Sequence, residues 1–124
     1  MGSKSDFESL VKSAKKMEIR VILDGVFNHT GDDSVYFNKY GNYPSLGAYQ
    51  SKDSPYYSWY NFEEFPDKYS SWWGIDILPE INESSEEYQE FIFGEEGVLK
   101  TWLASGIGGY RFDVADELPD FFLK

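Results

Sequence analysis

The stretch from Ser5 to Val26 narrows the fold more than any other part of the chain. Phe7, Leu10, Val11, Ala14 and Met17 recur at helical spacing, while Lys12, Lys15 and Lys16 fall on the other face near its end, where they suit the helix dipole. Ser5-Asp6-Phe7-Glu8 fits a capping box with Ser5 as N-cap and Glu8 reaching back, so the pattern predicts an amphipathic helix ending near Glu18. Val21-Ile22-Leu23 follows as a continuous apolar run, the pattern of a strand buried on both faces. A helix feeding such a strand predicts parallel α/β architecture. Ligands in that architecture sit at the carboxyl ends of strands, which gives weight to Asp24, Asn28, His29 and Thr30. The structural alternative is that Asp24 and Asn28 only satisfy turn backbone groups.

A second strand is expected in Gly109-Tyr110-Arg111-Phe112-Asp113-Val114-Ala115-Asp116-Glu117. Side chains alternate along a strand, so Arg111 and Asp113 share one face, and Tyr110 and Phe112 point the other way into apolar packing. A neighbouring guanidinium favours the ionised carboxylate, the form a carboxylate nucleophile needs. An ion pair that only holds the strand end is the structural alternative.

Between these strands, residues 31 to about 80 form a long, mostly irregular segment punctuated by Gly31, Gly41, Pro44, Gly47, Pro55 and Pro66. It carries eight of the chain's ten Tyr, three of its ten Phe and three of its four Trp. A loop this long inside a compact domain is either functional or poorly ordered, and aromatics at this density favour an excursion that packs on itself. Most of the rings are expected to form a satellite core, with one or two left to face a flat apolar ligand such as a sugar ring. A short strand is expected around Tyr57–Phe62. Ser84-Ser85-Glu86-Glu87 reads as another capping box, with Tyr88, Phe91 and Ile92 as the buried stripe that follows. Gly94 and Gly97 break that helix, and Val98, Leu99, Trp102 and Leu103 line a second one closed by Gly106. The order is helix, strand, long insertion, helix pair, strand, which predicts a right-handed crossover between parallel strands.

Lys+Arg 11 against Asp+Glu 22 gives a net charge of −11, which argues against nucleic acid or an anionic membrane as partner. The sequence has no Cys, so disulfides, thiolate chemistry and Cys-type zinc are excluded. No apolar run approaches a membrane span and no signal-peptide pattern opens the chain. Met1-Gly2-Ser3 reads as an expression leader, so residues 1–4 are set apart from a single domain over 5–124.

Asp24-Gly25-Val26-Phe27-Asn28-His29-Thr30 and Gly109–Glu117 together resemble the first and second sequence regions of the α-amylase superfamily, glycoside hydrolase family thirteen. Leu78-Pro79-Glu80-Ile81-Asn82 between them resembles that family's additional short motif, and order and spacing agree. The resemblance implies a (β/α)8 TIM barrel, of which this chain holds the second helix to the fourth strand with a long insertion after the third strand. It implies that Asp113 is the nucleophile, that Arg111 orients and ionises it, and that His29 hydrogen-bonds a sugar hydroxyl. Asp24 would brace the loops around the site, and Asp24 and Glu117 stand with His29 as the expected substrate-binding residues. Asn28 matches a calcium-ligating position of many amylases. The ending Val114-Ala115-Asp116-Glu117 departs from the Lys-His ending of ordinary α-amylases and looks closer to neopullulanases, cyclomaltodextrinases and maltogenic amylases. Asn28 therefore has two readings, a Ca2+ ligand or a structural hydrogen-bonding residue, and no cofactor is required.

The implied partner is an α-glucan oligosaccharide: maltodextrin, cyclodextrin or pullulan. A full barrel needs about 250 residues. The family's acid/base Glu and its second Asp would fall on strands beyond these 124 residues, and Glu117 lies inside the second motif and cannot match the acid. The polypeptide by itself is therefore expected to be inactive, and its open strand edges invite self-association. Three other readings stand beside this one: a carbohydrate-binding piece without chemistry, a silent superfamily member, and a piece of an α-glucan transferase. The set Asp24, His29, Arg111 and Asp113 argues against the silent member. The resemblance tilts the compartment toward the cytoplasm.

Overall fold

Helix α1 spans Lys4–Lys16, and its cap explains its start. Ser3 Oγ accepts from the Asp6 N–H, and the Asp6 carboxylate accepts from the Ser3 N–H (2.6 Å) and Oγ (2.7 Å). The capping box thus sits two residues before the Ser5–Glu8 box expected from sequence. Ser3-x-x-Asp6 and Ser5-x-x-Glu8 are overlapping copies of one signal, and the earlier cap encloses more helix. The described structure, a computed structural model, covers residues 2–124; Met1, part of the expected leader, lies outside the described residues.

The chain divides into two units, Met1–Gly25 with Glu90–Asp113, and Val26–Gln89 with Val114–Lys124. In the first, strand β1 (Ile22–Gly25) pairs in parallel with the later strand Gly109–Phe112, placing Asp24 opposite Arg111. The ladder continues one step beyond, where the Asp113 N–H donates to Gly25 O at 2.9 Å. Val11, Ile92 and Ile107 are buried, and Phe7 meets Trp102 edge to face at 5.3 Å. Tyr110 Oη donates to Leu99 O at 2.9 Å, fastening the strand to helix Val98–Leu103.

Three burial expectations fail in this unit. Leu10, Met17 and Leu103 are exposed, so each helix buries a narrower stripe than its spacing suggests. β1 is not buried on both faces, since Ile22 and Asp24 are both exposed. Phe112 is also partly exposed instead of packed. The physical reason is common: side chains are buried by a layer packed over them, and a two-stranded sheet offers too narrow a surface to bury both of its faces and the full helix stripes.

The second unit is built on the aromatic segment. Strands β2 (Phe62–Glu64) and β3 (Lys68–Tyr69) pair antiparallel, while Tyr57–Trp59 is a 3₁₀ turn. The strand expected at Tyr57–Phe62 therefore starts only at its last residue. Phe37, fully buried, is ringed by Tyr60 and Tyr69 (4.8 Å each), Tyr49 (5.6 Å) and Phe62 (6.0 Å). The self-packing excursion expected from composition is present.

Its irregular backbone is organised by Asn38, also fully buried. The Asn38 amide nitrogen donates to Tyr43 O (3.0 Å) and Ser45 O (2.9 Å), and its oxygen accepts from the Tyr43 N–H. Gly47 passes so close that a Cβ there would lie 2.4 Å from the Asn38 Cβ.

Helix α2 (Glu86–Phe93) is capped by Ser85, whose Oγ accepts from the Tyr88 N–H at 3.3 Å. That is one residue later than the Ser84 box expected. Helix α3 is Val98–Leu103, and β4 is Gly109–Phe112. Gly106, with φ +88, turns the chain between them. A short helix α4, Asp120–Leu123, seats Phe122 near Phe27 and Tyr88.

Candidate active site

In the first unit, the β1–β4 register places Asp24 and Arg111 opposite each other, and Asp113 follows one residue after β4. Arg111 Nη1 donates to both Asp24 oxygens at 2.7 and 2.9 Å, and Nη2 donates to Asp113 Oδ1 at 2.8 Å. The guanidinium is thus oriented by one carboxylate and presented to the other. Those hydrogen bonds, from Asp24 first and then Asp113, raise the Arg111 pKa above its ordinary value and keep it cationic.

The second oxygen of Asp113 accepts no hydrogen bond among the described residues. The Asp113 side chain is 33% exposed, so that oxygen belongs to an accessible carboxylate with a fixed cation on its other side. This arrangement can present a carboxylate nucleophile to an electrophilic carbon. The predicted trio Asp24, Arg111 and Asp113 is therefore brought together.

In the second unit, Asn28, His29 and Glu117 meet a different set of partners. Leu78–Asn82 runs between two neighbours. Thr30 N–H donates to Pro79 O and Ile81 N–H to Asn28 O on one side, and Trp72 N–H to Leu78 O and Glu80 N–H to Ser70 O on the other. Pro79 and Ile81 are buried there. This places the His29 ring in a stack with Trp72, centroids 5.0 Å apart at 17°. His29 Nδ1 lies 2.8 Å from Asn28 Oδ1; an amide oxygen can only accept, so Nδ1 carries the proton.

That same contact bears on calcium. Asn28 is buried and its hard donor atom is turned to His29, whereas calcium takes six to eight oxygens. Among the described residues there is no group of three or more His, Cys, Asp or Glu side chains able to hold a metal ion. In this arrangement Asn28 Oδ1 is engaged by His29 Nδ1.

Glu117 accepts from both neighbouring indoles, Trp72 Nε1 at 2.6 Å and Trp73 Nε1 at 3.1 Å. Neither tryptophan was singled out as a site residue from sequence. The signal available was the Trp72-Trp73-Gly74 run, a pair of large rings before a turn glycine.

The family model for the alpha amylase catalytic domain matches residues 1–121. The amylopullulanase of Thermoanaerobacterium thermosulfurigenes is 43% identical over 140 residues, covering 98% of this chain and 8% of that protein. Neopullulanase 2 of Thermoactinomyces vulgaris is 30% identical over 130 residues, covering 99% of this chain and 20% of its own length. Among solved structures, the cyclic α-maltosyl-(1→6)-maltose hydrolase of Arthrobacter globiformis superposes with a TM-score of 0.80 at 26% identity, over 98% of this chain and 27% of that one. The chain thus spans only 8–27% of the length of these three proteins.

Proposed function

The chain belongs to the family of the alpha amylase catalytic domain, and from that membership we propose that it supplies the nucleophile part of a retaining glycosidase acting on α-glucosidic bonds of starch-type oligosaccharides. The observation that carries the reading is Asp113, one oxygen held by Arg111 and the other accepting no hydrogen bond among the described residues, on a side chain 33% exposed. The names of the relatives support the substrate class, since an amylopullulanase and a neopullulanase point to pullulan-type glucans and a third enzyme is named for a cyclic maltosyl-maltose. The elements α1, β1, α2–α3 and β4 are read as the second helix to the fourth strand of a (β/α)8 barrel, with residues 31–80 inserted after its third strand.

In this reading an Asp113 oxygen attacks the anomeric carbon as the bond to the leaving oxygen breaks. A β-glycosyl ester forms, the leaving oxygen takes a proton from a carboxylic acid, and water then hydrolyses the ester with overall retention. Arg111 holds the carboxylate ionised and aimed, Asp24 fixes Arg111 from behind, and His29 contacts a sugar hydroxyl. The acid must stand about 5 Å from the nucleophile across the bond. No residue of this chain is assigned to it. Losing a positioned acid costs on the order of 10²- to 10⁴-fold, so these 124 residues alone are inactive on unactivated glucans.

The test is a ¹H–¹⁵N correlation spectrum of the chain titrated with maltotriose, together with a reducing-sugar assay on maltodextrin and pullulan. Shifts at Asp24, Arg111 and Asp113 with no sugar release are expected. A dispersed spectrum indifferent to maltotriose, or release that survives Asp113→Ala, overturns the proposal, and release that vanishes in Asp113→Ala overturns the inactivity of these residues alone.

A further inference from the structure

Trp73 is the most exposed aromatic side chain in the described structure, at 77%, and it is not loosely held. Its backbone lies in the left-handed region at φ 54, a conformation that a bulky residue adopts only when its surroundings impose it. Its ring stacks on Trp72 at 5.1 Å and 27°, and Trp72 stacks on His29. Both indole N–H groups are consumed by the Glu117 carboxylate. What the pair offers outward is therefore an aromatic face and no donor.

We propose that Trp72 and Trp73 form a fixed stacking platform for a glucose ring, with Glu117 as the positioning residue that locks both indoles. The apolar C–H face of a pyranose packs on a flat aromatic ring, while its hydroxyls remain directed to the rim and to water. Holding the rings in advance removes the rotamer cost that a free surface tryptophan meets on binding. Glu117 suits this role better than direct contact with sugar, because each of its oxygens already accepts an indole proton. The segment Leu78–Asn82 supports the platform from below by fixing the Trp72 backbone through Leu78 O. The inference rests on the reading of the ligand as an α-glucan.

The experiment is a chemical-shift titration of the chain with maltotriose, run in parallel on Trp73→Ala, Trp73→Phe, Glu117→Gln, the Trp73→Ala/Glu117→Gln double variant and, as control, Trp102→Phe. Trp73→Ala is expected to weaken maltotriose by about three- to tenfold, Trp73→Phe by less, and Trp102→Phe not at all. Glu117→Gln is expected to weaken binding when Trp73 is present and to add nothing when it is absent. A residue that only stabilised the fold would give additive effects. Equal maltotriose affinity in the parent chain and in Trp73→Ala overturns the platform and leaves the glycosidase reading standing. No maltotriose binding by the parent chain overturns both.

Discussion

Phe37→Ala should remove a large share of the stability of the aromatic unit. Phe37 is fully buried and touches the rings of Tyr49, Tyr60, Phe62 and Tyr69 at centroid distances of 4.8–6.0 Å. Truncating a buried phenylalanine to alanine costs about 3–5 kcal/mol in transfer and cavity terms. Edge-to-face contacts such as those with Tyr60 and Tyr69 add roughly 0.5–1.5 kcal/mol each, which favours the upper end of that range. Whole domains are stable by only about 5–15 kcal/mol, so one ring carries a large share. With a urea slope of about 1–3 kcal/mol per molar, the midpoint should fall by at least about 1 M. The assay is urea unfolding followed by near-ultraviolet circular dichroism, which reads tyrosine and tryptophan packing. Phe37→Leu, which keeps most of the volume, should cost much less. A Phe37→Ala loss below about 1 kcal/mol would refute the claim that this ring is the centre of the unit.

Arg111→Leu should leave the chain folded, because the side chain is 61% exposed, yet slow covalent labelling of Asp113 by 5-fluoro-α-glucosyl fluoride about 10²-fold through lost orientation. Unchanged labelling kinetics, measured by intact mass, would remove Arg111 from the mechanism. Burial pushes the Tyr60 phenol up to about 12, and Tyr88 is raised in the same direction, so both are protonated and neutral in the fold. A folded value above the unfolded one of about 10 means stability that is intact below pH about 10 and lost as pH rises toward 12, worth about 2–3 kcal/mol for Tyr60 alone. A urea midpoint that stays flat across that window would contradict it. β1 and β4 each have one strand neighbour, so light scattering should report a mass that grows with concentration, and a monomer at high concentration would count against edge pairing.

Periodicity and element order carried far in this chain, and side-chain contacts between distant residues did not. The helix preceding Val21-Ile22-Leu23, the parallel pairing with Gly109–Phe112 and the Arg111–Asp113 alignment all follow from periodicity, and the structure has them. The cap moved from Ser5 to Ser3, and the second from Ser84 to Ser85, because serine repeats let one motif be read in two registers. Burial of Ile22, Leu10 and Phe112 was overestimated, since pattern alone assumes a covering layer that the two-stranded sheet does not have. Asn38 was invisible to a reading based on hydrophobic spacing, for its role is to satisfy carbonyls of Tyr43 and Ser45 that no helix or strand pairs. The Glu117 clamp was equally out of reach, because it joins residues more than forty positions apart through side chains whose local sequences give no hint of each other.

The central claim is that Asp113 is the nucleophile, and a fluoride leaving group tests it without requiring the acid. Fluoride departs unprotonated, so the chain should form the glycosyl ester from 5-fluoro-α-glucosyl fluoride on its own, gaining one fluorohexosyl group by intact mass. Peptide mapping should place that group on Asp113, and Asp113→Asn should abolish it. A label on another carboxylate, or none on the folded chain, would contradict the account.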